Sequence, residues 1–415
     1  MTPSLRNVVV VGGNRTPFAR AGTAYADTTA QDLLTAALNG LIARHGLSGE
    51  KIDEVAAGAV LKHPRNYNLT RESVLGTGLD PHTPAVDLQQ ACATSLETFI
   101  YTANKIRLGQ AKIAIAGGVE STSTAPITVS DRLNTILNTA ARAKTLGARL
   151  KAFRSLRPKD LAPNPPGVGE PRTGKSMGQS QALTTAAHEI SREDQDRIAY
   201  ESHRRLALAW EEGFFDDLVT PYRGLERDNI LRTDTSVEKL AKLKPVFGDT
   251  MTAGNSTAMT DGAATVLLAD EDTARARNWT PWAAFVDAQV AAVDHVGGDE
   301  KTDGLLLAPT HALPALLERN GLSTDDIDIF EIHEAFASTV LTTLSALRAQ
   351  GIDIDETKIN PDGSSLAAGH PFAATGARIV AGLAKRLHEA GPGTRGLISI
   401  CAAGGQGVVA ILEAR

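Results

Sequence analysis

Leu397-Ile398-Ser399-Ile400-Cys401-Ala402-Ala403-Gly404-Gly405-Gln406-Gly407-Val408-Val409-Ala410-Ile411-Leu412 reads as two apolar strands joined by a glycine turn. Ala374 to Ala390, just ahead of it, has helical spacing, so the unit is helix, strand, Gly-Gly, strand. The same unit begins earlier in the chain, where Thr94 to Leu108 is followed by Ile113 to Ala116 and Gly117-Gly118. Its closing strand, Gly262-Ala263-Ala264-Thr265-Val266-Leu267-Leu268, comes only after a long interval. The chain therefore reads as an α/β protein of two similar halves, the first interrupted between two of its strands. Residues 1–118 with 249–275 form the first half, 119–248 an inserted loop or lid domain, and 276–415 the second half. Excursions of this length within a compact domain are commonly functional.

Other segments extend the alternation. Val8 to Val11, Val55 to Leu61 and Val86-Asp87-Leu88 read as strands and Thr29 to His45 as a helix; later, Ile327 to Glu331 reads as a strand and Ala335 to Arg348 as a helix. At 415 residues the chain needs no disulfide to stabilise its core, and its two cysteines, Cys92 and Cys401, suit a reducing cytoplasmic setting. No stretch reaches the roughly 20 apolar residues of a membrane span. A net charge of −6 gives no general reason to expect nucleic acid. One region opposes that balance: between Arg132 and Lys175 lie Arg142, Lys144, Arg149, Lys151, Arg154, Arg157, Lys159 and Arg172, against Asp160 and Glu170. It is either a solvated face or a surface for an anionic partner, whether nucleotide-like phosphates, a membrane or an acidic protein.

Three strand-to-helix junctions carry the residues of chemical interest. Cys92, in Gln89-Gln90-Ala91-Cys92-Ala93-Thr94-Ser95, precedes a helix, where free backbone N–H groups and the helix dipole are expected to lower the thiol pKa. His370, in Gly369-His370-Pro371-Phe372, precedes the Ala374 helix and corresponds by pseudo-symmetry to Cys92, making a Cys–His nucleophile candidate. His333 opens His333-Glu334-Ala335-Phe336-Ala337; Ala337 stands where a zinc-protease helix needs its second histidine, so no metal is expected, and Glu334 suits a helix N-terminus. Cys401 lies at a strand end beside small residues that permit close approach of a ligand. The duplication is expected to bring both cysteines to one cleft. Each cysteine could equally be an inert core residue.

These motifs, with Gly117-Gly118-Val119-Glu120-Ser121, Thr252-Ala253-Gly254-Asn255-Ser256-Thr257 and Asp261-Gly262-Ala263-Ala264, resemble the thiolase family in order and across nearly the whole chain. The His-Glu-Ala-Phe form most resembles the β-subunits of fatty-acid oxidation trifunctional complexes. The resemblance implies a layered αβαβα thiolase fold and a ping-pong acyl transfer between 3-ketoacyl-CoA and coenzyme A, or the reverse condensation. It implies that Cys92 carries the acyl group, His370 activates it, Cys401 moves the proton at the α-carbon, and His333 orients a water in an oxyanion hole. Backbone N–H groups of Cys92 and Ala403 would form a second oxyanion hole; the family usually has glycine where Ala403 stands. Thr257 would lie near the pantetheine, and Met177-Gly178 where the lid meets the thioester. The resemblance further implies coenzyme A as substrate without a permanent cofactor, a homodimer or dimer of dimers, and a hydratase/dehydrogenase α-subunit as partner. The rival readings are a ketoacyl synthase-type condensing enzyme, which would need histidine or asparagine at Cys401, and a noncatalytic lipid-binding or scaffolding relative.

Overall fold

The computed structural model describes residues 5–167 and 169–415. Its strands are β1 (Val8–Arg15), β2 (Ala19–Arg20), β3 (Glu54–Ala57), β4 (Ala85–Asp87), β5 (Ile113–Glu120), β6 (Pro245–Phe247), β7 (Met251–Thr252), β8 (Thr260–Asp270), β9 (Ala283–Ala292), β10 (Ile329–Ile332), β11 (Arg395–Ala402) and β12 (Gln406–Ala414). The main sheet runs β10-β11-β12-β9-β1-β8-β5-β3-β4. Its two arms mirror each other about the β1–β9 junction, which pairs only Val9 with Ala284 and Val10 with Ala283. In each arm the outer pairings are parallel (β3 with β4 and β5; β10 with β11) and the inner ones antiparallel (β5 with β8; β11 with β12).

Side chains alternate across a strand, so a continuous valine run is stable only where both faces are covered. Val8 and Val10 point into one core and Val9 and Val11 into another. The first core holds Phe99 and Ala103 of helix Thr94–Arg107 and Ile379 and Leu383 of helix Thr375–Ala390, which lie between the two arms. The second buries Leu34 and Leu38 of helix Ala30–His45. A third buries Leu316 of helix Pro309–Asn320 and Leu344 of helix Ala337–Ala349 against β11 and β12. The first core covers both sides of the central helices and the other two lie outside the arms, giving five layers, α/β/α/β/α. The central helices meet closely: a Cβ on Gly376 would lie 2.3 Å from the Leu96 nitrogen.

Several elements differ from the sequence reading. Gly117-Gly118 does not turn the chain as Gly404-Gly405 does; it lies inside β5, opposite Thr265 and Ala264. Gly118 is needed there because a Cβ would stand 1.9 Å from the Ala373 carbonyl oxygen, whereas Gly404 and Gly405 have φ of +82° and +67°. β3 stops at Ala57, because Gly58 passes so close to Leu88 that a Cβ would be 1.8 Å from its carbonyl oxygen. β9 and the helix Pro309–Asn320 complete the second half.

Between the paired strands β5 and β8 the chain makes a long excursion. Its helices Met177–Ala187 and Arg192–Glu211 pack on the second half. Asp131–Arg142 and Leu146–Ala152 form an outer pair, the latter with no buried residue. The eight cations singled out above are all exposed. Leu146 and Leu150 among them are 72% and 63% exposed, so this face is apolar as well as basic.

Candidate active site

Cys92 lies in a short turn, Ala91–Ala93, leading into helix Thr94–Arg107. Ala91 has φ +44°, a left-handed conformation that costs a non-glycine residue about 1 kcal/mol or more. The turn is held by Thr94, whose Oγ1 accepts from the Gln90 N–H (2.9 Å) and donates to the Ala91 carbonyl (2.7 Å). The Cys92 sulfur accepts from the Ala403 N–H of the β11–β12 turn.

Here the helix terminus does not set the acidity. Burial pushes the Cys92 thiol up to about 12; the Ala403 N–H and the Cys92 N–H oppose this, while the Glu120 and Glu170 carboxylates add to it. The residue surface is only partly covered, yet the sulfur itself is ringed by protein, which explains the size of the effect. The resting nucleophile is thus a thiol, contrary to the lowered pKa expected from its place before a helix. Cys401, near the end of β11 and 4% exposed, is likewise pushed up, by burial and then by Cys92. It packs in an apolar cluster with Met251, Leu305, Leu306 and Phe336, against which Met177 also packs.

His370 is fixed at both ends. Its N–H donates to Thr260 Oγ1 (2.9 Å), and its Nδ1 lies 2.7 Å from Thr375 Oγ1. Burial, with the nearby Arg378 charge, lowers its pKa to about 3, leaving a neutral ring. Register corrects the expected symmetry: Thr94 and Thr375 are the matching first residues of the central helices, so Cys92 corresponds to Ala373 and His370 to Gln89. The His333 ring sits 4.1 Å from that of His370, centroid to centroid. Burial first, then His370 and Arg378, lower its pKa as well.

A buried chain of polar groups orients His333. Ser365 Oγ accepts from Arg378 Nη2 (3.1 Å), which leaves its own proton for His333 Nδ1 at 2.9 Å. That arrangement puts the imidazole proton on Nε2, a buried atom with no protein partner among the described residues. Behind Arg378 lies Glu331, pushed up to about 8 by burial against the pull of that guanidinium. Glu334 does not cap the helix, which starts at Ala337. Its carboxylate instead accepts from Ser202 Oγ (2.7 Å), Asn360 Nδ2 (2.9 Å) and the Leu366 N–H (3.1 Å), tying the excursion to the segment that leads to His370.

Sequence reasoning missed Thr375, Ser365, Arg378, Asn360 and Glu170. Thr375 alone had a local signal, lying in the helix just after His370; the others act across the fold. Of the remaining sequence candidates, Thr257 donates through Oγ1 to the Ser365 carbonyl (2.9 Å) and Met177 opens helix Met177–Ala187 beside the Cys401 cluster. Ala403 aims its N–H at Cys92. The Cys92 turn packs against both β11, which carries Cys401, and the Phe372–Ala374 turn that follows His370, so two thiols and two neutral imidazoles lie on neighbouring segments, groups able to form a thioester and shuttle a proton.

The chain belongs to the thiolase family: the thiolase N-terminal domain matches residues 8–272 and the thiolase C-terminal domain residues 284–414. It is an acyltransferase of that family, with the layered fold described above. The 3-ketoacyl-CoA thiolase of Alteromonas mediterranea is 40% identical, the match covering 98% of this chain and 96% of that protein. The 3-ketoacyl-CoA thiolase of Yersinia pestis shows the same identity and coverage. Among solved structures, human mitochondrial 3-ketoacyl-CoA thiolase in complex with CoA aligns with a TM-score of 0.83 at 29% identity over 99% of both chains. The Bacillus anthracis acetyl-CoA acetyltransferase aligns with a TM-score of 0.83 at 28% identity, over 99% of this chain and 100% of that one.

Proposed function

We propose that the chain is a 3-ketoacyl-CoA thiolase in which Cys92 carries the acyl group. The observation that carries this reading is the packing of the Cys92 turn against β11, which carries Cys401, and against the Phe372–Ala374 turn that follows His370, with the Ala403 N–H on the Cys92 sulfur. In thiolysis, His370 Nε2 takes the Cys92 proton as sulfur attacks the 3-keto carbon. The oxygen of that carbon gathers negative charge and accepts from the Cys92 and Ala403 N–H groups. The bond between C2 and C3 then breaks; the electron pair goes to C2, which takes the Cys401 proton, and acetyl-CoA leaves. His333, donating through Nε2 directly or by way of a water, stabilises the thioester enolate formed on the way. The Cys401 thiolate next removes the proton of an incoming CoA thiol, whose sulfur attacks the acyl-Cys92 carbonyl. The departing Cys92 sulfur recovers its proton from His370.

Residues 119–248 would act as the lid over the acyl chain, with Met177 beside the thioester and Thr257 near the pantetheine. A homodimer or dimer of dimers, a hydratase/dehydrogenase partner subunit and a cytoplasmic location complete the reading. The deciding experiment is thiolysis of short- to long-chain 3-ketoacyl-CoAs by wild type and Cys92→Ala. Turnover of at least one substrate by wild type, lost in the variant, is expected. Turnover that survives in Cys92→Ala removes the reading.

A further inference from the structure

Glu170 belongs to the excursion, in a tight turn closed by the Gly174 N–H bonding to its carbonyl (2.8 Å) and by its own N–H bonding to Lys175 (2.8 Å). Its side chain is 6% exposed. A carboxylate is expensive to bury, so its partners are informative. Oε1 accepts from the Gly404 N–H at 2.9 Å, and Oε2 lies 3.9 Å from His295 Nε2, a buried atom with no hydrogen bond among the described residues. His295 in turn packs on Gly405, where a Cβ would be 2.6 Å from its Nδ1.

The turn that receives this carboxylate is the one that aims the Ala403 N–H at Cys92. It is gripped from three sides, twice through its backbone and once through the Gln406 side chain. The Gly405 carbonyl accepts from the Val293 N–H (2.8 Å), Gln406 Oε1 accepts from Gln90 Nε2 (2.9 Å), and the Gly404 N–H donates to Glu170. Gly404 and Gly405 both have left-handed φ and no side chain to restrain them, so the turn depends on such external bonds for its orientation. The Gly404 and Ala403 N–H groups belong to successive peptides that share the Ala403 Cα, so anchoring the Gly404 N–H to Glu170 restrains the Ala403 backbone torsions and with them the direction of the Ala403 N–H.

We infer that Glu170 is a positioning residue: by holding the Gly404 N–H it sets the direction of the Ala403 N–H, and so couples seating of the excursion to assembly of the thioester oxyanion hole. The inference rests on the proposed role of Cys92 and Ala403. His295 backs the carboxylate, and the Gly404 bond needs only an acceptor at Oε1. Glutamine supplies one, and alanine does not.

The test is single-turnover acetylation by acetyl-CoA, followed by rapid quench and intact mass over a range of acetyl-CoA concentrations. Wild type must acetylate and Cys92→Ala must not; failure of that control removes the proposed function rather than this inference. Given the control, Glu170→Ala should acetylate about 10- to 100-fold more slowly at saturation, below the roughly 10²- to 10³-fold loss typical of a deleted oxyanion donor. Its half-saturating acetyl-CoA concentration should be unchanged, and Glu170→Gln should stay within about threefold of wild type. Should Glu170→Ala fail to fold, Glu170→Met, which fills the space without an acceptor, replaces it in the comparison. A non-accepting variant that acetylates at the wild-type rate overturns the inference. So does one that changes only half-saturation, or a Glu170→Gln as slow as the non-accepting variant.

Discussion

Replacing Thr375 by valine keeps the volume and β-branching of the side chain and deletes only the oxygen that meets His370 Nδ1 at 2.7 Å. Thr375 is fully buried, so no solvent replaces the lost partner. In the proposed reaction His370 becomes positively charged as it takes the Cys92 proton through Nε2, and the bond from Nδ1–H to Thr375 strengthens at that moment. A hydrogen bond to a charged group is worth about 1.5–3 kcal/mol, and each 1.36 kcal/mol is tenfold in rate, so acylation should slow by about 10- to 200-fold. Binding of acyl-CoA should be unaffected, because Thr375 is fully buried and bonds to Nδ1, not to the Nε2 assigned to the thiol. Stopped single-turnover acetylation of Thr375→Val, Thr375→Ser and wild type measures this, with Thr375→Ser restoring most of the rate. Wild-type acetylation by Thr375→Val would falsify the assignment of Nδ1–H as the anchored side of the base. Equal slowing in both variants would mean that packing, and not the hydroxyl, matters at this position.

Three further outcomes are expected. Cys401→Ala should still accept an acetyl group on Cys92 by intact mass, yet lose about 10²- to 10⁴-fold in acetoacetyl-CoA cleavage and formation; normal rates would end the two-cysteine mechanism. Gly118→Ala should destabilise the fold by about 1–3 kcal/mol or more in urea titrations, since its Cβ would lie 1.9 Å from a backbone oxygen that has no side-chain freedom to move; an unchanged midpoint would contradict that packing. His203 is held down to about 4 by burial and then by Arg232, so below pH 6.5 the unfolded chain binds a proton that the folded one refuses, and stability falls. Between pH 7 and pH 5 this amounts to about 2 kcal/mol, by which the stability of His203→Gln should gain on wild type; a pH-independent difference would refute it.

The sequence exposed what is local and periodic. The strand–turn–strand around Cys401, the two central helices and the apolar runs of β1 and β8 all follow from alternation and helical spacing. β9 escaped because Ala283–Ala292 is rich in small residues, and Pro309–Asn320 because Pro314 interrupts a helical pattern that tertiary packing nevertheless stabilises. Cys92, Cys401, His333 and His370 stood out by residue type and position. Their orienting partners did not, because nothing in a sequence ties Glu170 to Gly404, 234 positions away, or Ser365 to His333. The acidity of Cys92 was misjudged for a related reason. A helix terminus is visible in sequence, whereas the burial that overrides it depends on the Ala403 turn and the surrounding carboxylates, which only the fold brings together.

That misjudged acidity bears on how such a site works. Intrinsic nucleophilicity of a thiolate rises with its pKa, so a sulfur pushed up to about 12 is a stronger nucleophile once formed than one acidified by a helix dipole. The cost is that it must be formed in place, and His370, the base proposed to form it, is one that burial keeps neutral. In the proposed reaction the two demands meet in the same step. Transfer of the proton to His370 and attack on the carbonyl move the negative charge from sulfur to the substrate oxygen, where the Cys92 and Ala403 N–H groups stand ready. Without a carbonyl in that position the thiolate has only the Ala403 and Cys92 N–H groups to stabilise it, with burial and the Glu120 and Glu170 carboxylates opposing it. Ionisation is therefore tied to the presence of substrate, and the resting cleft keeps both thiols protonated between turnovers.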